Sequence, residues 1–343
     1  MKIALDAMGA DNAPEVEVEG AARATHDHED LEVLLVGDEA RLTEELAKHP
    51  KHGHVRIVHA AEVIGMSDSP VEAVRGKKQS SLLVAMRLVK EGEADAVVSA
   101  GNTGAVMVAS RVVLGALRGV SRSAICQAIP TSGGSCAMLD LGANVDSTAR
   151  HLTEFAEMGI AYSTHALGVS EPRVGLLNIG EEESKGGTTT KEVHRLLRQA
   201  PHVNFIGNVE PKAIYEGAAD VVVCDGFAGN LFLKTSEAAA MYMGGLLKEK
   251  LTSTSMSKIG AMLARKALNE IRSTVDPNQH PGAPLLGVNG ISLILHGSAT
   301  WEGVKNAIVG ARVAFENRLN DHIRENIDAL RAISNGEGQA AAS

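Results

Sequence analysis

The sequence predicts an α/β protein built on a mostly parallel sheet. Three observations carry this: short Val/Ile/Leu-rich runs without polar alternation, a Gly/Asn/Asp-rich turn after each run, and a helix-like stretch after each turn. A parallel strand buried on both faces has no solvent side to alternate toward, and its return path runs through a helix. With 343 residues, 44% hydrophobic and 22% charged, the chain is long enough for one large unit of this kind or two interlocked ones. Aromatic residues are only 3%, so the core is expected to consist of Val, Leu, Ile, Ala and Met.

In order, Lys2-Ile3-Ala4-Leu5 runs into Asp6-Ala7-Met8-Gly9-Ala10-Asp11-Asn12, with Pro14 placed where a helix starts. Leu31–Val36 ends at Gly37-Asp38, and Ala96–Ser99 ends at Ala100-Gly101-Asn102-Thr103-Gly104. Ala137–Leu141 leads to Gly142-Ala143-Asn144, Val174–Asn178 to Ile179-Gly180, Val203–Ile206 to Gly207-Asn208, and Asp220–Cys224 to Asp225-Gly226-Phe227-Ala228-Gly229-Asn230. His49, His52, His54 and His59 surround a Lys/Pro/Gly segment and read as a solvated loop. The stretch 244–281 is helical in composition and lacks strand runs, as an inserted helical hairpin would. Ile291–Leu295 then enters His296-Gly297-Ser298, followed by a helix from about Thr300 to Asn317 that continues toward Ile333. Residues 335–343, rich in Gly, Gln and Ala, are expected to be a disordered tail, so 1–334 form a single α/β domain carrying the hairpin.

Composition excludes several classes. Thirty-three basic against 42 acidic residues give a net charge of -9, the wrong sign for binding nucleic acid through its phosphates. Cys126, Cys136 and Cys224 have no C-x-x-C spacing, which fits a reducing cytoplasm and argues against a structural zinc. The N-terminal charges Lys2 and Asp6 come too early for a signal-peptide core, and the apolar stretch Val106–Leu117 is broken by Arg111, so neither a leader nor a membrane span is expected. There is no dinucleotide fingerprint, P-loop, nucleophile elbow or H-E-x-x-H. Neither a cofactor nor a metal is expected.

In an open parallel sheet the ligand crevice lies beyond the carboxyl ends of the strands, where this chain concentrates Gly, Asn and Asp. Gly180-Glu181-Glu182-Glu183-Ser184-Lys185-Gly186-Gly187-Thr188 places one ammonium at a helix entrance. There Lys185 either meets an oxyanion or pairs with Glu181 or Glu182. Asn230 either donates its amide to a carbonyl or phosphate oxygen or caps a helix. Arg75, Lys77 and Lys78 before Ser80 and Ser81 form another basic helix entrance, or a solvated face.

Taken together, Asp6–Asp11, Ser99–Ala105, Leu139–Asp146, Asn178–Gly186, Asp225–Asn230 and Gly282-Ala283-Pro284-Leu285-Leu286-Gly287 closely resemble the bacterial phosphate acyltransferase family, PlsX, over nearly the whole chain. The resemblance implies an αβα sandwich related to phosphotransacetylases and to the isocitrate and isopropylmalate dehydrogenases, usually dimeric. It implies the conversion of acyl-[acyl carrier protein] and inorganic phosphate to acyl phosphate and free carrier protein, at the entry to phospholipid synthesis. Three positions depart from the family pattern: Ala10 for a second glycine, Ala228 for a threonine, and His280 for an aromatic residue.

With this reaction the expected catalytic residues are Lys185, Asn230 and His296; His296, ending the last strand beside Gly297 and Ser298, either protonates the leaving thiolate or is a helix-entry histidine bonded to backbone. Phosphate and substrate would be bound by Asp6, Gly9, Gly101, Asn102, Thr103, Gly104, Gly142, Asn144, Gly186, Asp225 and Gly229. The implied partners are acyl carrier protein, a second copy of the chain, an anionic membrane and the downstream glycerol-3-phosphate acyltransferase, with the protein cytoplasmic and peripheral on the inner face of the cell membrane. The alternatives are a phosphotransacetylase acting on acyl-coenzyme A and a non-catalytic acyl-carrier-binding module at the membrane surface. Between Leu246 and Arg272 stand six basic residues against two acidic ones, reversing the sign of the rest of the chain. At helical spacing Met256, Ile259, Leu263, Ala267 and Ile271 share a face, so Lys258, Ile259, Leu263, Arg265 and Lys266 are the expected partner or membrane surface.

Overall fold

The computed structural model describes residues 1–340. Its elements run β1 (Lys2–Asp6), α1 (Glu15–Asp27), β2 (Glu32–Gly37), α2 (Glu39–Leu46), β3 (His54–His59), α3 (Pro70–Gly76), α4 (Ser81–Lys90), β4 (Ala96–Ser99) and α5 (Thr103–Ala109). They continue through β5 (Ala124–Thr131), β6 (Gly134–Leu139), α6 (Ala149–His165), β7 (Val174–Leu177), α7 (Thr188–Gln199), β8 (Phe205–Val209), α8 (Pro211–Tyr215) and β9 (Val221–Val223). Last come α9 (Gly226–Thr252), α10 (Ser255–Leu263), α11 (Arg265–Val275), β10 (Ala283–Leu286), β11 (Ile291–Ile294), α12 (Trp301–Glu316) and α13 (Leu319–Ala340).

The eleven strands form one sheet in the order β3-β2-β1-β4-β11-β10-β5-β6-β9-β7-β8. Two parallel halves, β3-β2-β1-β4-β11 and β6-β9-β7-β8, are joined by β10 and β5, each antiparallel to both of its neighbours. The mostly parallel sheet is thus as expected, and the antiparallel pair sits at its middle. Alternate residues of each strand feed two cores. Ile3 and Leu5 pack with α1, α6, α12 and α13, whereas Ala4 packs on the other face with α3, α4 and α5. The result is three layers, αβα.

Local chemistry sets the boundaries. Asp38, Asn102, Thr148, Asp225 and Thr254 each accept an N–H of the helix they precede, occupying a donor that would otherwise lack a partner. The fully buried run Val33–Val36 forms β2 without polar alternation because both its faces are covered.

Several elements differ from expectation. His54 and His59 bound a six-residue edge strand, β3, rather than a loop; His54, Arg56 and His59 are exposed while Val55, Ile57 and Val58 are half-buried. The helical insertion does not begin afresh near Gly244: α9 runs unbroken from Gly226. The face expected to join Met256 to Ile271 is divided at Ala264, whose φ of -85° and ψ of 4° end α10 and start α11. The last helix also divides, at Asn317-Arg318, where Arg318 has a φ of 50°. α13 extends to Ala340, into the stretch expected to be a disordered tail, and 341–343 lie outside the described residues. Among those described, no helix is long and apolar enough to cross a membrane.

Candidate active site

Asp6 ends β1 and is 2% exposed. Its Oδ2 accepts the Ser99 hydroxyl at 2.8 Å, and Ser99 Oγ in turn accepts the Gly101 N–H at 3.1 Å. Burial pushes the Asp6 carboxyl up, opposed by hydrogen bonds from Ser81, Ser99 and Met8. The two loops touch here. A Cβ on Gly9 would lie 2.8 Å from Asp6 Oδ2 and 2.9 Å from the Gly101 Cα, so only glycine lets the backbones meet. The loop continues to Asp11, whose N–H donates to the carbonyl of Gly297, beside His296. Ala10 does not have a positive φ, since Arg318 is the only described non-glycine residue that does; the substitution of Ala for Gly therefore carries no backbone strain.

Asn102 has both ends of its amide occupied. Oδ1 accepts the Ala105 N–H, and Nδ2 donates to the carbonyls of Met66 at 3.0 Å and Asp68 at 3.1 Å. It holds the turn before α3, and Gly104 gives Pro70 room to pack. Lys77 ion-pairs with Asp68 in the same turn at 2.6 Å, which occupies the basic group at that helix entrance.

In the other half Asp140 follows β6, fully buried, and gathers a loop. Oδ1 accepts the N–H groups of Ile125, Gly142 and Ala143, while Oδ2 accepts the N–H and side-chain amide of Asn144. Asn144 Nδ2 also donates to the Ser123 carbonyl, so that amide is committed to the loop. The Asn144 carbonyl accepts the Gly226 N–H, and a Cβ on Gly229 would lie 1.9 Å from the Asp140 carbonyl oxygen. The start of α9 therefore lies directly on the Asp140 loop, with Asp225 accepting the Ala228 N–H as its cap. Asp225, not Asn230, caps this helix. Asn230 lies against Gly142, and among the described residues its side-chain amide has no protein partner.

A cavity of about 160 Å³ opens at this seam. Thr103, Gln127, Asn230, Lys234, Glu237, His280 and His296 line it above an apolar floor that includes Ile125, Leu141 and Ile294. Three expected site residues, Thr103, Asn230 and His296, are brought together here from chain segments far apart in sequence. His296 Nδ1 accepts the Ser298 N–H at 3.3 Å and lies 2.7 Å from Ser298 Oγ. Accepting at Nδ1 places the neutral ring's proton on Nε2.

Lys185 stands elsewhere, on the exposed loop between β7 and α7, with Nζ 3.8 Å from Glu182 Oε1. Its carbonyl accepts from Asn178 Nδ2, and Gly186, at a φ of 85°, packs against the same amide. Lys185 and Gly186 do not line the cavity. Lys234, Gln127 and Glu237 do, and sequence reasoning passed over all three. Their one signal is the helical spacing of Asn230, Lys234 and Glu237, which puts them on one face of α9.

Comparison with solved structures defines the class first. The phosphotransacetylase from Streptococcus pyogenes superposes with a TM-score of 0.61 at 19% identity, covering 91% of this chain and 94% of its own. The EutD phosphotransacetylase from Staphylococcus aureus gives 0.57 at 18% identity, over 91% and 94%. The fold is that of the phosphotransacetylases. The family model described as "Fatty acid synthesis protein" matches residues 1–322. Phosphate acyltransferases from Geobacter sp. (strain M21) and Desulfitobacterium hafniense (strain DSM 10664 / DCB-2) are each 48% identical, covering 96% and 97% of this chain and 93% and 99% of theirs. The chain belongs to this fatty acid synthesis protein family, PlsX, and is an acyltransferase with phosphate acyltransferase activity.

Proposed function

We propose that the enzyme transfers the acyl group of an acyl-[acyl carrier protein] to inorganic phosphate, feeding phospholipid synthesis. The observation that carries this reading is the cavity in which Thr103, Asn230 and His296 converge. A phosphate oxygen adds to the thioester carbonyl carbon, the C–S bond breaks with its electron pair on sulfur, and the thiolate takes a proton. His296, with its proton on Nε2, suits the last step. Asn230, whose amide has no protein partner, donates to phosphate or to the developing oxyanion. The backbone donors left for phosphate are the N–H groups of Thr103 and Gly104 at the start of α5, since those of Gly142, Ala143 and Asn144 are taken by Asp140 and that of Gly101 by Ser99; Lys185 is assigned to phosphate from the separate β7–α7 loop.

An acyl-enzyme is not required, because phosphate is the nucleophile. All three cysteines are buried; burial pushes the Cys136 thiol up to about 12 and raises Cys126 and Cys224 well above the ordinary thiol value. The test is phosphate-dependent turnover of acyl-[acyl carrier protein] and acyl-coenzyme A side by side. Faster turnover of the carrier-protein thioester is expected. Preference for the coenzyme A thioester would make the enzyme a phosphotransacetylase, and no turnover of either would leave a binding module.

The helical extension supplies the proposed partner surface. Met241, Tyr242, Met256, Ile259, Met262 and Leu263 are exposed along α9 and α10, with Lys258, Arg265 and Lys266 beside them. Exposed apolar residues of this kind fit a second copy of the chain along α9 and an anionic membrane at the α10 tip.

A further inference from the structure

Lys234 lies one helical turn beyond Asn230 on α9, and both side chains border the same cavity, with His296 and Thr103 also in its wall. No carboxylate stands within 4.0 Å of its ammonium among the described residues, and the ammonium makes no hydrogen bond. Glu237, one turn further, also borders the cavity and does not pair with it. Lys234 is the one lysine or arginine that borders this cavity among the described residues; Lys185, Lys77 and Arg173 stand outside it and pair with Glu182, Asp68 and Asp220. A lysine beside an unpaired amide, a hydroxyl and a histidine makes a set of donors without an internal acceptor for the ammonium. Such a set matches a multiply charged oxyanion.

We propose that Lys234 is a catalytic residue of the phosphate transfer, its ammonium contacting the inorganic phosphate that Asn230 also meets. The proposal rests on the phosphate acyltransferase reading and adds to it a residue that no motif marks. Lys234 neutralises charge on the nucleophile as it enters the cavity and fixes it on the α9 side. Glu237 sets the limit of that anion site along the helix, since a carboxylate repels phosphate.

The experiment compares wild type, Lys234→Met and Lys234→Arg at constant ionic strength. Steady-state kinetics with acyl-[acyl carrier protein] are run beside a short acyl-N-acetylcysteamine thioester, which lacks the phosphodiester of the carrier's prosthetic group. Lys234→Met is expected to raise the KM for inorganic phosphate at least about tenfold with both thioesters and to lower kcat by on the order of 10²-fold. Lys234→Arg should recover most of the loss. The stabilisation of wild type by phosphate in thermal unfolding should be absent from Lys234→Met, a readout independent of turnover. An unchanged phosphate KM and an unchanged phosphate-induced shift overturn the proposal. So does a rise in KM confined to the carrier-protein thioester, which would assign Lys234 to carrier docking or to the prosthetic phosphodiester. Absence of turnover in wild type, with its phosphate shift intact and lost in Lys234→Met, would reject the acyltransfer reading while leaving the phosphate contact standing.

Discussion

His202 Nε2 lies 2.7 Å from Glu157 Oε1, a carboxylate of α6 that is only 1% exposed. The hydrogen bond that His202 donates to Glu157 raises the histidine above its ordinary 6.5, against the opposing effect of burial. A base whose folded-state pKa is raised stabilises the fold fully below its unfolded value, and that contribution is lost as pH rises through the folded value. His202→Gln should therefore lower the urea midpoint more at pH 6 than at pH 9, where wild type and variant should converge. An equal gap at both values would show that the ion pair does not contribute.

Glu17 gives a pH dependence from a different cause. It is fully buried in α1, neither of its carboxylate oxygens has a partner, and burial pushes it up to about 8. A carboxyl raised in the folded state contributes stability below its unfolded value of about 4.5 that is lost as pH rises toward about 8. Glu17→Gln should be more stable than wild type by on the order of 2 kcal/mol at pH 8 and indistinguishable or weaker at pH 4.5. Denaturant titrations at the two pH values decide it, and a variant less stable at both contradicts the assignment.

Gly229→Ala should displace α9 from the Asp140 carbonyl, because no Cβ fits 1.9 Å from an oxygen. Since Asn230 follows directly, its amide shifts with the helix. We expect a loss of about 2 kcal/mol in stability and at least about tenfold in kcat, measured by calorimetry and steady-state assay. Normal turnover would separate Asn230 from the chemistry.

Lys185→Ala should keep the fold, since the side chain is exposed and paired only loosely with Glu182. Turnover should fall on the order of 10² to 10³-fold, the usual consequence of removing one charge-stabilising donor. Near-normal turnover at saturating phosphate would remove it from the mechanism.

At the helical tip, wild type should co-sediment with anionic liposomes and release in high salt, whereas Lys258→Glu/Arg265→Glu and Ile259→Glu should sediment less. Oligomeric state is measured in parallel. If Ile259→Glu only splits a dimer, the apolar face belongs to the second subunit.

Legibility in the sequence followed the physics of each element. Ala96–Ser99 was readable to the residue because a strand buried on both faces ends abruptly at Gly101. β5 and β10 were not, because antiparallel strands carrying Pro130 and Pro284 break the parallel rhythm. β3 hid among histidines, since an edge strand needs apolar residues on one side only. Thr103, Asn230 and His296 could be singled out because each follows a strand end. Asp140 acts through bonds to backbone as far away as Ile125 and Ser99 through a bond to the distant Asp6, and Lys234 sits on a helix without a local signature. Which face of α9 looks toward β11 is decided by the Asp140 loop beneath Gly229, a contact between distant segments.

The antiparallel seam also fixes an order of assembly. Residues 283–294 supply β10 and β11, which stand between β4, ending at Ser99, and β5, beginning at Ala124. A ribosome delivers them after every other strand. Until they emerge, the nascent chain has two half-sheets, each with an open edge of unsatisfied N–H and C=O groups facing the future seam. Closure then joins contacts separated by well over a hundred residues, a slow step during which the edges are open to mispairing. Chains truncated before Ala283 should be captured by chaperones or aggregate, while those completed past Ile294 should close around the same line of strands that carries the candidate cavity.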